Sequence, residues 1–484
     1  MAEVELKLDV GAAAAAALDR SALLAGEARQ ATLHSTYFDT PEHALATAGV
    51  SLRIRRAGRS RIQSIKVNRD DSAGLFARDE LERKVVDDTP VLDDDTPVPA
   101  LLGARADALS PLFTVRYVRR SWDLDRVDGM IELAIDRGEV IAGNRRAPFD
   151  EVELELKQGD PAALFALARE IAAQAPARLG VISKTERGYR MLAGEGGAVK
   201  AEPVALDQRM PAAASLRRIA NNCVRQFRLN ETILLERRDI EATHQARVAL
   251  RRLRTAFRIY CKMLSDDHFD HFQREARWLI GELGEARDVH VLIERAEPGP
   301  LRDRLGEALG VAEDRVSAAL ASARARAFPL ELAQWLATGS WASDTDFADL
   351  RDQLVKRFAA KALGRLRRRV KRYGRDLETI DAAERHKARK AAKKLRYAAE
   401  FFGPLFDSVQ ERRRCDRFIV ALKRLQDELG ALNDIAVTPM LLDKLGLTGE
   451  PGTSTLLGKS RHKRHLRAAA DAYRDLIRAK RFWR

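Results

Sequence analysis

The stretch EVELELK, residues 151–157, alternates charged and aliphatic side chains at every position. Period-two alternation predicts a β-strand, because successive side chains of a strand point to opposite faces of its sheet. One face of this strand is therefore apolar, and the other carries Glu151, Glu153 and Glu155. The fold therefore depends on whether the charged face of such a sheet points to solvent or to an enclosed interior.

Four other stretches of the first 190 residues share this alternation: EVELKLDV (3–10), SLRIRRA (51–57), FTVRYVRRSWDL (113–124) and MIELAIDRG (130–138). A sheet packed on helices, with a solvated outer face held by salt bridges, accounts for any one of them. A closed antiparallel barrel with helices outside and charge inside accounts for the whole set and would contain a polar cavity. Because five strands share the pattern, we favour the barrel.

Other segments set the organisation of the chain. Residues 160–176 predict a helix, with Asp160 as N-cap and Pro161 in the first turn. Gly, Ala and Pro without periodicity mark a linker around 193–214, and helical patterns follow it. We therefore predict an α+β tunnel domain over residues 1–200 and an all-α helical-bundle domain, built from two related units, over 205–484.

Charge is distributed unevenly over the 484 residues, whose formal net charge is +14. Residues 1–200 contain 28 Lys and Arg against 32 Asp and Glu, a net charge of −4, whereas the remaining 57 basic and 39 acidic residues give +18. This asymmetry predicts a polyanionic partner for the second half.

Cellular location is predicted from what the sequence lacks. No run of 18 apolar residues is present, and the N-terminus has no signal-peptide pattern. The three cysteines are isolated from one another, which is typical of buried thiols in a reducing compartment. We expect a cytoplasmic protein without a membrane partner.

A basic pattern occurs twice in the second half. HQARVALRRLR (244–254) returns as HKARKAAKKLR (386–396), and an aspartate, Asp239 or Asp381, lies five residues before each histidine. Helical periodicity places the histidine and the arginines on one face and aliphatic residues on the other. ELGEARD (282–288) and ELGALND (428–434) follow the two copies, so two related helical units are expected to pack together.

A solvated surface explains one basic helix face, but two faces in matching register favour a site for phosphates. Arginine binds phosphate oxygens through its planar fork, and partly protonated histidine adds a further donor. Nucleic acid is a weaker candidate, because no aromatic ladder or zinc-binding spacing accompanies the basic residues.

From about residue 205 onward the pattern resembles the CHAD family, whose members are associated with inorganic polyphosphate. The resemblance implies polyphosphate binding here, and an association with polyphosphate granules. The positions that match are His244, Arg247, Arg251, Arg252, Arg254, His386, Arg389, Lys393, Lys394 and Arg396.

Residues 1–200 contain an ordered series of motifs: EVELK at the start, HSTYFDTP (34–41), GVSLRIRR (49–56), RDELE (78–82), EVELELKQG (151–159) and SKTERGY (183–189). The series resembles the CYTH family, the triphosphate tunnel metalloenzymes. The resemblance implies a tunnel in which cations hold a triphosphate and carboxylates hold a divalent metal.

Site residues follow from the resemblance and from the charges that a triphosphate and a hard cation require. We assign catalysis to Lys7, Arg53, Arg55 and Lys66; substrate binding to Arg78, Arg116, Arg119 and Lys184; and Mg²⁺ or Mn²⁺ to Glu3, Glu5, Asp136, Glu151, Glu153 and Glu155. Arg116 and Arg119 differ in parity, which places Arg116 on the outer face of its strand.

These residues predict metal-dependent hydrolysis of inorganic triphosphate to diphosphate and phosphate, with polyphosphate bound by the helical half. The fusion resembles bacterial inorganic triphosphatases. Three alternatives remain: a non-catalytic protein that binds polyphosphate or targets granules, an adenylyl cyclase, and a thiamine triphosphatase.

Overall fold

A computed structural model describes residues 3–24, 26–68, 74–93, 95–194, 196–264, 266–457 and 459–484, and the side chains at positions 3, 68, 78, 459 and 460 lie outside the description. The chain forms two compact units. The first comprises Met1–Gly197 with Ser322–Thr338, and the second comprises Ala198–Ala321 with Gly339–Arg484.

The N-terminal part of the first unit combines a large sheet with short helices. In chain order its elements are β1 (Glu3–Val10), α1 (Ala12–Leu18), β2 (Arg29–Asp39), α2 (Ala44–Thr47), β3 (Val50–Ala57), β4 (Ser60–Asn68), β5 (Leu75–Lys84), α3 (Pro97–Leu102), β6 (Ser110–Arg126), β7 (Gly129–Ala142), β8 (Arg145–Gly159), α4 (Ala162–Gln174), β9 (Ala177–Leu179) and α5 (Lys184–Leu192).

The sheet closes on itself. Its strand order is β5-β4-β3-β2-β6-β7-β8-β1-β9, and β5 also pairs with β1. Every pairing is antiparallel, and β5 and β9 contact different lengths of β1. All five predicted strands lie in this sheet, so the predicted antiparallel barrel is confirmed. Closure removes the exposed edges that an open sheet would present.

The apolar faces of the strands point outward, against helices. Leu52 and Ile54 of β3 are buried in a cluster that includes Leu45 of α2 and Val98 of α3. Each such side chain contributes roughly 1.5–3 kcal/mol by leaving water. The outer helices therefore hold the charged faces of the strands toward the interior, as the barrel interpretation predicted.

Part of the interior is apolar. Tyr37 and Phe113 stack with ring centroids 4.7 Å apart, and Phe113 meets the ring of Tyr189 edge-on at 5.4 Å. Tyr189 belongs to α5, whose first residue is Lys184. These ring contacts fix the position of α5. They thereby determine where the Lys184 side chain enters the interior of the barrel.

Asp39, at the end of β2, is fully buried and joins α2 to α5. Its carboxylate accepts hydrogen bonds from the backbone N–H groups of Leu45 at 2.8 Å and Ala46 at 3.0 Å, and from the Tyr189 hydroxyl at 2.8 Å. This aspartate of the HSTYFDTP motif therefore has a structural function.

Helix α4 matches the helix predicted over 160–176, although it begins two residues later. Asp160 still stabilises the N-terminus of this helix, because its carboxylate accepts a hydrogen bond from the backbone N–H of Ala162 at 2.7 Å. Pro161 precedes the first helical residue.

The remaining described elements are helical, apart from a single β-bridge between Pro211 and Leu354. They are α6 (Ala212–Glu236), α7 (Ile240–Tyr260), α8 (Asp267–Arg295), α9 (Pro300–Ala321), α10 (Ala323–Thr338), α11 (Ala348–Asp352), α12 (Val355–Tyr373), α13 (Ala382–Phe402), α14 (Val409–Lys444), α15 (Thr453–Leu457) and α16 (Lys459–Arg478). Short 3₁₀ turns also occur between them.

Helix α10 belongs to the first unit, although it lies in the second half of the sequence. It packs on α4 and β9, where Arg169 of α4 donates a hydrogen bond to the Gln334 side chain. The chain therefore leaves the second unit after Ala321 and returns to it at Gly339.

The two basic repeats form equivalent helices. Helices α7 and α13 each contain 21 residues, and each is N-capped by the predicted aspartate: Asp239 accepts from the N–H of Ala242 at 2.9 Å, and Asp381 from that of Glu384 at 2.8 Å. Helices α6, α7 and α8 pack in succession, as do α12, α13 and α14. The second unit is thus built from two related groups of helices.

The structure bears on two further expectations from the sequence, which concern the burial of the cysteines and membrane-spanning helices. Cys223 and Cys415 are buried, but Cys261 is exposed, so the expectation of buried thiols is wrong for Cys261, which follows the last residue of α7. Over the part of the chain that is described, no helix has the length and apolar character needed to cross a bilayer.

Replacing Asp39 with alanine will lower the free energy of unfolding by about 3 kcal/mol or more, because several buried donors lose their acceptor. Tyr189→Phe removes only one of these hydrogen bonds and will cost about 1 kcal/mol. Urea unfolding followed by circular dichroism measures both. Equal losses of unfolding free energy in the two variants would contradict the conclusion that Asp39 joins α2 to α5.

Candidate active site and candidate anion-binding cavity

The barrel encloses a cavity of about 290 Å³. Its lining is mostly charged and contains both signs. The charged residues are Glu5, Lys7, Arg53, Arg55, Lys66, Glu80, Glu82, Arg119, Glu132, Glu153, Glu155, Lys157 and Lys184. Such a lining suits a small, highly charged ligand better than an apolar one.

The strand register brings carboxylates together. On β8, Glu151 lies opposite Asp136 of β7, while the next inward residue, Glu153, lies opposite Lys7 of β1. One oxygen from each of Asp136, Glu151 and Glu153 lies within 4.8 Å of the others. Because these strands are adjacent in the barrel, alternation alone places all three side chains on its inner face.

Three cations neutralise this carboxylate cluster. The Lys184 ammonium lies 2.6 Å from Asp136 and 2.9 Å from Glu153, and it also contacts Glu151. Arg119 donates two hydrogen bonds to Asp136, at 2.7 and 2.6 Å, and a further one to Glu153. Lys7 donates to Glu153. Each buried charge thus has an opposite partner, which burial requires.

The cluster contains carboxyl groups with opposite pKa shifts. Burial acts to raise the pKa of Glu153, but Lys184, Lys7 and Arg119 hold it well below its usual range. Burial dominates at Glu151, whose pKa is raised although Lys184 and Lys7 oppose this. Glu153 is therefore ionised at neutral pH, and it is the carboxylate best prepared to hold a cation.

A second group of charges comes from β3, β4 and β5. Arg53 lies 3.6 Å from Glu80, Lys66 lies 3.2 Å from the same carboxylate, and Arg55 lies 3.1 Å from Glu82. The predicted cations are therefore in the cavity, next to two acids that sequence reasoning missed. Alternation in RDELERK, residues 78–84, was the signal that would have identified them, since Arg78, Glu80 and Glu82 share one parity.

Most of the predicted tunnel residues meet in or beside this cavity. They are Glu5, Lys7, Arg53, Arg55, Lys66, Arg119, Glu153, Glu155 and Lys184 in its lining, with Asp136 and Glu151 in the adjoining carboxylate cluster. The side chains of Glu3 and Arg78 lie outside the described part of the chain.

Arg116 is the exception. It is exposed and is absent from the cavity lining, whereas Arg119 enters it. The two residues are three apart on β6, so their side chains point to opposite faces of the strand. The assignment of Arg116 to substrate binding is not supported by this position.

The second unit contains a cavity of about 430 Å³ between the repeated helices and the segments that follow them. The basic residues from the repeats in its lining are His244, Arg247, Arg251, His386, Arg389 and Lys393. We refer to it as the His–Arg cavity. Six of the ten predicted phosphate-binding residues therefore converge at one place.

The downstream ELG segments hold the basic residues in position. Arg247 donates to Asp288 at 3.1 Å, and a ring nitrogen of His386 lies 2.7 Å from the Asn433 side-chain oxygen. Asp288 and Asn433 belong to ELGEARD and ELGALND. Both segments stand out in the sequence, but neither these two contacts nor the additional lining residues Arg287 and Arg295 were predicted from it.

The charges in the His–Arg cavity are incompletely compensated. Burial lowers the pKa of Lys393 to about 6, and Arg389, Arg251 and Arg247 contribute to the shift. Burial, together with Arg247, lowers the pKa of Arg251 to about 10. Because like charges lie close together there, a bound anion would relieve their repulsion.

Four predicted residues lie elsewhere. Arg252 is buried and donates to Asn222 and Gln226 of α6. Arg396 lies 3.6 Å from Glu400 in its own helix. Arg254 and Lys394 are absent from the lining of the His–Arg cavity, and Lys394 lines a different basin. A helix turns by about 100° per residue, so Arg252 and Lys394, which directly follow Arg251 and Lys393, face elsewhere. Arg254 and Arg396 lie three residues further along the shared face, beyond the cavity lining.

Comparison with known families agrees with both halves of the architecture. Residues 1–189 match the model of the CYTH domain, and residues 218–443 match that of the CHAD domain. The chain carries a CYTH domain followed by a CHAD domain. The closed barrel forms most of the CYTH domain, and the repeated helices form the CHAD domain.

Among curated proteins, an inorganic triphosphatase of Haemophilus influenzae is 30% identical over 164 residues, which are 32% of this chain and 45% of that protein. The match thus spans less than half of the relative. A CHAD domain structure from Ricinus communis is 26% identical and covers 59% of this chain and 98% of its own, with a TM-score of 0.49. A Hippeastrum structure described as an adenylyl cyclase candidate with dominant triphosphatase activity is 19% identical, covering 40% and 96%, with a TM-score of 0.33.

Replacing Lys184 with methionine will lower the free energy of unfolding by about 3–5 kcal/mol at neutral pH, because the buried carboxylates lose a neutralising partner. The loss will shrink as the pH falls. Burial already raises the pKa of Glu151 above its unfolded value, and the pKa rises further without Lys184. The folded variant therefore takes up a proton as the pH falls and is stabilised by acid relative to its state at neutral pH.

Urea unfolding near pH 5 and about pH 7 tests this expectation. The control is Lys157→Met, which removes a more exposed lysine paired with Glu155 at 2.7 Å and will cost less than about 1 kcal/mol. A Lys184 effect that is independent of pH would refute the proposed charge balance.

Proposed function

We propose that the CYTH domain hydrolyses inorganic triphosphate to diphosphate and phosphate with a bound Mg²⁺ or Mn²⁺, and that the CHAD domain binds inorganic polyphosphate. The observation that carries the first part is a cluster of three carboxylates that adjoins a small cavity lined by several arginines and lysines and shares Glu153 with it. A pure anion-binding protein would gain nothing from so many buried glutamates.

The donor set fits a hard divalent cation. Asp136, Glu151 and Glu153 offer carboxylate oxygens, which Mg²⁺ and Mn²⁺ prefer, and Glu5 lies nearby beside Lys7 at 3.4 Å. When bound, the cation would neutralise phosphate charge and favour attack by water. The Lys184 ammonium now contacts all three carboxylates, so it would move aside for the cation or share them with it.

Arginines and lysines of the cavity would hold the phosphate chain. Arg53, Arg55 and Lys66 come from adjacent strands on one side, and Arg119 comes from β6. Hydrolysis breaks one P–O–P bridge and adds one water, so negative charge accumulates on the departing diphosphate. Fixed guanidinium and ammonium groups in a water-poor cavity stabilise such charge more strongly than bulk water does.

Glu153→Gln will reduce phosphate release from tripolyphosphate with Mg²⁺ by about 100-fold or more, since it removes a charge from the proposed cation site. Mn²⁺ binding followed by electron paramagnetic resonance will weaken in parallel. The control is Glu139→Gln on the same barrel, where the carboxylate pairs with Arg146 at 2.8 Å outside the cavity. Wild-type turnover by Glu153→Gln would overturn the assignment.

The alternatives are distinguished with the same preparation. ATP and thiamine triphosphate are offered in place of tripolyphosphate, and cyclic AMP is measured in the ATP reaction. Preferred turnover of thiamine triphosphate, or formation of cyclic AMP, would replace the proposed substrate. A lack of turnover with every compound, accompanied by polyphosphate binding, would favour a non-catalytic protein.

The His–Arg cavity supports polyphosphate binding because basic side chains from two helices face one space with few acids. Only Asp288 and Asp434 among its described lining residues are acidic. Burial, reinforced by repulsion from Arg389 and Arg251, lowers the pKa of Lys393, and a phosphate chain would neutralise that repulsion. Such contacts are electrostatic, so affinity will fall as salt rises. This interaction would also place the enzyme on polyphosphate-rich particles.

Arg251→Ala and Arg389→Ala will each weaken polyphosphate binding by the full-length protein by about 10-fold, since each removes a charged hydrogen-bond donor. Fluorescence anisotropy with end-labelled polyphosphate measures the change. Arg302→Ala, an exposed arginine of α9 outside the cavity, is the matched control. Equal weakening by all three variants would indicate a general effect of net charge and exclude a site here.

A further inference from the structure

A further cavity of the second unit is separate from the His–Arg cavity. It is a basin of about 620 Å³ lined by the end of α7 with the 3₁₀ turn Cys261–Met263, by α12, and by Lys394 of α13. Cys261 and Lys262 are exposed, as are most of the basic side chains that line the basin. The basin is therefore open to solvent and belongs to one compact unit.

Cations dominate the walls of the basin. They include Arg258, Lys361, Arg365, Arg368, Arg369 and Lys394, and no acidic residue is present among the described lining residues. None of these six forms a salt bridge with a described carboxylate, in contrast to the paired charges of the barrel. Burial and the nearby Arg258 and Arg369 lower the pKa of Lys394, as expected for uncompensated positive charge.

The floor of the basin is apolar. Ile259, Met263, Phe358 and Leu366 line it, and the ring of Phe358 stacks on that of Tyr260 at 4.6 Å. A bare phosphate chain is hydrated along its whole length and gains little from such a floor. A ligand that carries an apolar or aromatic group beside its phosphates would use both parts of the basin.

We propose that this basin binds a nucleoside triphosphate, with its phosphates against the arginines and lysines and its base against the apolar floor. A volume of about 620 Å³ lies in the range of small-molecule sites. Guanidinium planes of the wall can also stack on a base. The site goes beyond the proposed triphosphatase and polyphosphate functions. Of the residues that the sequence assigns to those functions, it uses only Lys394, which does not line the His–Arg cavity.

Cys261 provides a local reporter, because it is exposed and lines the basin, whereas Cys223 and Cys415 are buried. Alkylation of Cys261 by uncharged iodoacetamide is measured by peptide mass spectrometry on the full-length protein, in EDTA so that metal-dependent turnover is prevented. The ligands are a non-hydrolysable ATP analogue, tripolyphosphate and adenosine at equal concentration.

At an ATP analogue concentration ten times its Kd, alkylation will slow by about 10-fold, as mass action requires for an occupied site. Tripolyphosphate and adenosine will protect less at the same concentration. Equal protection by tripolyphosphate would make the basin a site for bare phosphate chains. Absence of protection by the nucleotide would also overturn the proposal.

Arg365→Ala and Arg369→Ala will each raise the nucleotide concentration needed for half-protection by about 10-fold. The matched control is Arg357→Ala, which removes an exposed arginine of the same helix outside the basin. The ratio of rates with and without ligand is compared, since the substitutions alter the intrinsic reactivity of the thiol. Unchanged protection in both basin variants would refute direct binding there.

Discussion

The CYTH domain depends on pairing opposite charges inside a closed sheet. Burying a single carboxylate or ammonium group without a partner costs several kcal/mol, and this barrel buries many of them. The contacts of Lys184 and Arg119 with Asp136 and Glu153 are the centre of the arrangement. Because strands such as β3 direct their aliphatic side chains outward against helices, and a separate apolar cluster fills part of the interior, the barrel can hold charge without losing a hydrocarbon core.

The same arrangement connects stability with chemistry. The side chains that neutralise the carboxylates at rest are also those that a phosphate chain would attract, and the carboxylates are those that a metal would attract. Substrate and metal together would replace internal ion pairs with new ones, leaving the charge balance of the cavity nearly unchanged. Most of these charged groups are held in place in advance, and the main reorganisation that binding would require is at Lys184, which contacts all three carboxylates.

The CHAD domain solves a different electrostatic problem. Its basic side chains face cavities in which few carboxylates lie. Burial and the closely spaced positive charges around them lower the pKa values of Lys393 and Lys394. The free energy of helix packing offsets this repulsion: Leu250, Leu253 and Phe257 of α7 and Leu395 of α13 are buried. A surface with closely spaced positive charges attracts anions. The interior of the barrel is nearly neutral, so it favours ligands that together bring negative and positive charge.

The sequence by itself determined the elements and their two-sided character. Alternation in EVELELK predicted a strand with one charged face, and the repeated His-led stretches predicted two equivalent helices with aspartate caps, because both signals depend only on neighbours along the chain. Only the tertiary structure decided which faces meet. Pairing of β1 with β5 turned the charged faces inward, and pairing of β4 with both β3 and β5 brought Glu80 and Glu82 to Arg53 and Arg55.

Helix packing decided in the same way that Arg251 enters a cavity while Arg252 bonds to α6. The odd and even positions of β6 place Arg116 and Arg119 on opposite faces of the strand. Only closure of the barrel made the face that carries Arg119 the interior. These outcomes depend on contacts between residues far apart in the chain, and a local pattern specifies the orientation of a side chain without specifying what lies opposite it.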